Sequence, residues 1–210
     1  MSLEERLWAF SLIFAAAFVV LGVLAASTHA LARLDLAASA VRGQATATAA
    51  IFTLSGRALP LVAIGLVSLL AFFAFKQPLW VPLAIFASQL LSQGAVELVK
   101  LVFARARPDD WLLTHDLGFS FPSGHATTAI VFFGTWLLVA MVLPIDRPIK
   151  FVLAGALLAW MIGIDWSRMA LGAHYLSDVL GGTLFGCAWT TALIALLLRL
   201  RVPIPWLHPS

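Results

Sequence analysis

Apolar residues lie along this chain in long uninterrupted blocks separated by short polar clusters. Uncharged runs cover residues 7–32, 58–75, 77–96, 126–145 and 179–198. A sixth, 151–164, is shorter and extends if Asp165 to Ser167 sit at an interface. An α-helix rises 1.5 Å per residue, so about 20 apolar residues cross a hydrocarbon layer roughly 30 Å thick. Lipid offers no partner to exposed backbone groups, so such runs are expected to be helices, and the period-2 alternation of a membrane barrel is absent from the sequence. The pattern predicts an all-α polytopic membrane protein, six transmembrane helices in one bundle, with residues 1–210 as a single domain. Prolines punctuate it. Pro60, Pro78 and Pro82 fall in opening turns, Pro108 and Pro148 in connections, and Pro144 closes the fourth span.

Composition strengthens the membrane reading. The 210 residues are 62% hydrophobic and only 11% charged, where a soluble domain carries about 25% charge. A net charge of +3 provides no basic face for nucleic acid. The single cysteine, Cys187, excludes an intrachain disulfide or a cysteine metal cluster and reads as packing. Glu4, Glu5 and Arg6 precede a first run far longer than the apolar core of a signal peptide, so residues 7–32 read as a span and not as a cleavable leader.

Six spans put both termini on one side and the 1–2, 3–4 and 5–6 connections on the other, where all the polar clusters fall. The terminal side holds Arg6, Lys76, Arg147, Lys150, Arg199 and Arg201. The cluster side holds Arg33, Arg42, Arg57 and Arg105 besides Lys100, Arg107 and Arg168, which the chemistry below claims. The excess of cations beside the termini leans toward cytoplasmic termini and a site facing out of the cytoplasm. Residues 33–57, Ala-rich around Leu34-Asp35-Leu36, suit either an interfacial helix near the site entrance or a disordered loop.

Charges beside apolar spans are expensive, roughly 2.5–3.5 kcal/mol each at a helix centre. Three clusters nonetheless gather them. Lys100 and Arg107, seven apart, fall two helical turns apart on one face, before Pro108 turns the chain. Arg offers a planar fork to phosphate oxygens and Lys a point charge; the bland reading is a snorkelling pair, with Glu97 bonding Lys100. Arg105, off that face, reads as a snorkelling side chain. Next, Pro122-Ser123-Gly124-His125 opens the fourth span. A helix start attracts anions, Ser123 adds a hydroxyl, Gly124 permits close approach and His125 titrates near neutrality; the bland reading is an ordinary cap. Finally, His174 and Asp178 are four apart, facing each other on a helix, with Arg168 six residues upstream. A carboxylate can fix an imidazole's tautomer and support the cation formed on attack; the bland reading is a structural hydrogen bond.

Together these supply three cations, an anion site and two histidines, one to attack phosphorus and one to protonate the departing oxygen. Phosphoryl transfer needs mainly positioning and charge stabilisation. Asp109, Asp110 and Asp116 look loop-like and Asp146 lies on the other side, so no acidic cluster suits Mg²⁺ and the chemistry is expected to need no metal or other cofactor.

Lys100-x6-Arg107-Pro108, Pro122-Ser123-Gly124-His125 and Ser167-Arg168-x5-His174-x3-Asp178 resemble, in order, the three-part signature of the type 2 phosphatidic acid phosphatase superfamily, the lipid phosphate phosphatases. The resemblance implies that His174 forms a phosphohistidine supported by Asp178. It makes His125 the general acid, with Lys100, Arg107, Ser123, Gly124 and Arg168 holding the phosphate. Asp109-Asp110 stand where a second Arg-Pro often follows, a departure that bears on headgroup preference. The implied substrates are lipid phosphates, among them undecaprenyl pyrophosphate, phosphatidylglycerol phosphate and phosphatidic acid. The bilayer is the implied partner, and the sequence points to no obligatory protein partner. Rival readings are a lipid phosphotransferase and a non-catalytic phospholipid-binding or transport protein. Vanadium haloperoxidases share the constellation but are soluble.

The remaining conspicuous residues have plainer readings. His29 suits an interface and His115 a headgroup contact. Trp8, Trp80, Trp111, Trp166 and Trp206 read as interfacial anchors. Gly181, Gly182 and Gly186 read as close helix packing. Phe119, Phe121 and Trp111 suit either guidance of a lipid chain or packing.

Overall fold

The computed structural model describes residues 1–27, 30–109 and 118–203; His29, His115, Trp111 and Trp206 lie outside them. Helix α1 (Leu3–Ala26) opens on a capping box in which Ser2 and Glu5 each accept the other's backbone N–H. Two short helices follow, α2 (Ala32–Ala38) and α3 (Thr46–Ser55), and then α4 (Ala58–Ala74) and α5 (Trp80–Phe103). The fourth span is composite. It comprises α6 (Gly124–Thr128), a π-helical turn (Ala129–Gly134) and α7 (Thr135–Val142). Helices α8 (Arg147–Ala170) and α9 (Leu176–Arg199) complete the chain.

Five of these, counting the composite as one, are long and apolar enough to cross a membrane. The run expected at residues 58–75 is α4, which passes the same test only together with α3, from which it bends by 56°; the count is five, or six where that bent pair is one span. The connection 33–57 is thus mostly helical, with a turn at residues 42–45. On the last turns of α5, Lys100 pairs with Glu97 one turn back, at 2.7 Å. Pro148 stands in the first turn of α8, where its missing N–H would have had no helical partner.

The exterior is apolar and much of the interior is polar. Leu12, Val67, Leu70, Leu101, Val102 and Val152 are exposed, while Gln89, Ser92, Thr127, Thr128, Arg168 and Asp178 are buried. In water this would expose a large apolar surface; in lipid it places side chains where their solvent matches them. The protein is a multi-pass membrane protein.

Association of the helices depends on close packing, since lipid tails are as apolar as leucine. Helix α1 lies along α9, and Ser11 donates to the carbonyl of Ala188 at 2.9 Å. Helix α3 lies along α8. One apolar cluster joins Leu61, Phe72, Ile85, Phe132, Met161 and Ile164. Another stacks Phe18 on Phe121, with Phe103 edge-on to both; Phe121 is therefore a packing residue, fully buried.

Candidate active site

The first turns of α9 are the floor on which the site is assembled. Gly181, Gly182 and Gly186 leave its surface flush, so a neighbouring backbone can lie directly against it. A Cβ on Gly182 would run into the carbonyl oxygen of Ser123, one on Gly181 into the ring of Phe121, and one on Gly186 into Ile130. Across this contact the Ser123 N–H donates to the Asp178 carbonyl at 3.0 Å, and the Thr127 hydroxyl donates to the Gly182 carbonyl at 3.2 Å. The Ser123-Gly124-His125 segment is thereby fixed against the helix that carries Asp178. Ser123 caps α6, its hydroxyl accepting the Ala126 N–H at 3.4 Å.

Lys100 and Arg107 reach the site by different routes from the one their spacing suggests. Helix α5 ends at Phe103, and Ala104 takes a left-handed conformation with φ of 46°. This breaks the helical face before Arg107, which stands on the non-helical segment beyond. Arg107 is held by the carbonyls of Gly118 (3.0 Å) and Ala173 (3.2 Å). Lys100 is buried on the last turn of α5, its ammonium on Glu97.

His174 is likewise outside the helix. It lies in the turn between α8 and α9, its N–H on the carbonyl of Arg168 at 3.2 Å, while Asp178 is the third residue of α9. The turn still brings Nδ1 of His174 to 3.4 Å from Oδ2 of Asp178, an ion-pair approach with no closer partner for Nδ1 among the described residues. On its other edge, Nε2 lies 3.2 Å from Nη1 of Arg107. A guanidinium only donates, so Nε2 must present its lone pair and Nδ1 carries the hydrogen, directed at Asp178. Burial holds the His174 imidazole down to about 4, with the charges of Arg168 and Arg107 acting in the same sense and Asp178 opposing. The ring is neutral at pH 7, as a nucleophile must be.

Asp178 is fully buried and heavily bonded. Oδ2 accepts from the Tyr175 N–H at 2.9 Å and from the Ser120 hydroxyl, and Oδ1 from Arg105 at 2.6 Å. Arg105 is thus no snorkelling side chain. It lies inside the protein between Asp178 and Asp35, the latter at 2.8 Å. A helix continued through Arg105 would have pointed it away; the turn at Ala104 swings it inward.

Arg168, 1% exposed at the end of α8, donates to the Thr53 hydroxyl at 2.8 Å. The Thr53 carbonyl lies 3.2 Å from Nε2 of His125, so one α3 residue orients two site residues. At the bend after α3, Gly56 packs against the His125 ring with no room for a side chain. Neither Thr53 nor Arg105 carried a sequence signal of its own. Asp35 did, as an acid within an apolar, Ala-rich segment.

Lys100, Arg107, Gly124, His125 and His174 line a cavity of about 510 Å³; Ser123, Arg168 and Asp178 stand behind them. Arg57, Gln93 and Glu97 add polar surface, and Leu61, Val62, Phe86 and Leu90 form an apolar wall between α4 and α5. Val62 and Leu90 are also exposed on the outside of the bundle, so this wall meets the apolar exterior.

Over 130 residues, 56% of this chain and 48% of the relative, the sequence is 34% identical to a lipid A 1-phosphatase of Rhizobium johnstonii. It is 36% identical over 94 residues, 43% of this chain and 45% of the relative, to phosphatidylglycerophosphatase B of Bacillus subtilis. The chain spans about half the length of these curated relatives. A crystal structure of a transmembrane PAP2 type phosphatidylglycerolphosphate phosphatase from Bacillus subtilis superposes with a TM-score of 0.70 at 25% identity, covering 97% of this chain and 98% of that one. The family model of the PAP2 superfamily matches residues 77–201, which include all three polar clusters, and the chain belongs to that superfamily.

Proposed function

We propose that residues 1–210 form one domain, a metal-independent phosphatase that removes a terminal phosphate from a membrane lipid through a phosphohistidine on His174. The observation that carries this reading is the His174 ring, its Nε2 lone pair presented beside Arg107 at 3.2 Å at the cavity wall with the Asp178 carboxylate behind Nδ1. The names of the relatives, a lipid A 1-phosphatase and phosphatidylglycerophosphatase B, support a lipid phosphate as substrate.

When a phosphate enters, Arg107 exchanges Nε2 for phosphate oxygens, and Lys100 exchanges Glu97 for them. Arg168, held by Thr53, supplies the third cation, and Ser123 and Gly124 close the inner side. Nε2 attacks phosphorus as the bond to the lipid oxygen breaks, and Asp178 supports the positive charge that appears on the ring. His125 gives its proton to the leaving oxygen. The Thr53 carbonyl can only accept, so Nε2 of His125 holds a hydrogen and Nδ1 is the site that loads and unloads a proton. Water then attacks the phosphohistidine with His125 as base, releasing phosphate. The cations serve the equatorial oxygens throughout. The lipid chain leaves along Leu61, Val62, Phe86 and Leu90. Candidate substrates are phosphatidylglycerol phosphate, undecaprenyl pyrophosphate and phosphatidic acid. The cation balance supports a cytoplasmic membrane with the site on its outer side.

The test is phosphate release by the purified protein in detergent with EDTA, on these three lipids, with His174→Ala as control. Release that survives EDTA, vanishes in the variant and is blocked by vanadate supports the reading. Turnover that persists in His174→Ala, or that requires Mg²⁺, overturns it.

A further inference from the structure

Behind the catalytic pair lies a second set of charges that the three-part signature leaves out. Nη1 of Arg105 donates to both Asp178 Oδ1 and Ser177 Oγ, each at 2.6 Å, and Nη2 reaches Asp35 Oδ2 at 2.8 Å. Oδ1 of Asp35 accepts the Ser177 N–H at 2.9 Å and its hydroxyl at 2.8 Å. The guanidinium also lies 4.3 Å from the centre of the Tyr175 ring. Asp35 is buried on α2, and this carboxylate ties that short helix to the first turn of α9.

The charges in this set do not cancel. Asp35 and Asp178 contribute two negative charges and Arg105 one positive, leaving one negative charge against Nδ1 of His174. The imidazole acquires a positive charge when Nε2 bonds to phosphorus. Without Arg105 the Asp178 carboxylate would be held at Oδ2 alone, by Tyr175 and Ser120, and an Asp178 paired one-to-one with Arg105 would be neutralised before the ring needed it. Sharing Arg105 with Asp35 holds Asp178 in place and keeps it negative. We propose that Arg105 and Asp35 are positioning residues that act through Asp178 on His174, with α2 as the strap that holds them. This rests on the phosphohistidine reading for its kinetic consequence but not for its electrostatic one.

The groups facing His174 are Asp178 from α9, Arg107 beyond α5, Arg168 from α8, His125 from α6 and Lys100 from α5 across the cavity. Arg42, after α2, lines a small void with His174 and Asp35. Arg105 makes its hydrogen bonds to Asp178, Ser177 and Asp35, and Asp35 reaches Asp178 through Arg105 and Ser177 while also sharing that void with the ring.

The test compares Arg105→Gln, Arg105→Lys, Asp35→Asn and the Arg105→Gln/Asp35→Asn double variant in detergent, with melting temperature as the check on folding. Arg105→Gln is expected to lower kcat about 30-fold with KM within about threefold, the size of effect seen when an orienting outer partner is removed. The acid limb of kcat/KM should move up by about one pH unit, because His174 then faces two uncompensated carboxylates. Arg105→Lys should recover part of kcat. Asp35→Asn should lower kcat without raising that limb. In the double variant the limb should return toward wild type. The ¹⁵N shift of the His174 ring, followed across pH in the same variants, reads the same displacement without turnover. A wild-type protein that releases no phosphate would refute the phosphatase reading and leave this ring titration to decide the present one. Unmoved titration in Arg105→Gln, a loss appearing only in KM, or a double variant that stays displaced would overturn the proposal.

Discussion

Gly182→Ala adds one methyl group to a buried helix face, and the geometry fixes what that methyl meets. The new Cβ would collide with the Ser123 carbonyl oxygen and come within 2.8 Å of the Ala126 Cβ. Neither neighbour can move by rotating a side chain, so α6 must back away from α9. Overpacking of this kind costs about 1–3 kcal/mol. The retreat also stretches two buried hydrogen bonds, Ser123 N–H to Asp178 and Thr127 to Gly182, each worth about 1 kcal/mol. The expected loss is about 3–5 kcal/mol, read as a fall in melting temperature in detergent. Because the segment that retreats carries His125, a displacement near 1 Å should also reduce kcat by roughly 100-fold. Gly155→Ala on α8 is the matched comparison. A Cβ there meets nothing within 4 Å, so the substitution should be neutral or stabilise by up to about 1 kcal/mol through helix propensity. If Gly182→Ala melts and turns over like wild type, or if both variants behave alike, the flush face of α9 does not position the site.

Three further outcomes follow from the same geometry. Glu97→Gln removes the carboxylate that occupies the Lys100 ammonium at 2.7 Å; its largely exposed position limits the pair to about 1 kcal/mol, so KM for a lipid phosphate should fall up to about fivefold with kcat nearly unchanged, and a rise in KM would contradict the exchange. Thr53→Val deletes the hydroxyl that accepts from Arg168 and bonds Ser167 but keeps the carbonyl facing His125; KM should rise about fivefold for the lost bond to Arg168, with the lost Ser167 bond read separately as a lower melting temperature, and a change confined to the His125 limb of the pH profile would show that the hydroxyl has a different role. His174 has a folded pKa near 4 against an ordinary 6.5; the unfolded chain therefore binds the proton first as pH falls, so His174 removes stability between about pH 6.5 and 4 while remaining fully unprotonated above this window. Melting temperature should drop less across that window in His174→Asn than in wild type, and an equal drop would refute the assignment.

The apolar runs disclosed the helices because lipid makes length and charge the controlling variables. The three clusters were legible for the same reason, each being costly in its setting without a use. What escaped was local backbone geometry. Lys100 and Arg107 were placed on one helical face, but the left-handed Ala104 ends the helix three residues before Arg107. The same turn carries Arg105 inward, opposite to the snorkelling expected of it. His174 and Asp178 meet across a turn, so their spacing of four predicted the contact for a helical reason that does not apply. Thr53 contributes one hydroxyl and one carbonyl from an element that pattern alone could assign equally to helix or loop, and only the tertiary contact of α3 with α8 gives it a role.

The apolar wall of the cavity has a consequence for how rates should be expressed. Val62 and Leu90 belong at once to the pocket and to the lipid-facing exterior. A substrate arriving past them diffuses in two dimensions and is never dissolved in bulk water on its way. On the proposed lipid phosphatase reading, the saturating quantity is the mole fraction of lipid phosphate in the surrounding surface, and adding inert detergent at constant total substrate should slow turnover by dilution of that surface. A short, tailless phosphate ester escapes this rule, since it can reach the same histidine only through the aqueous opening.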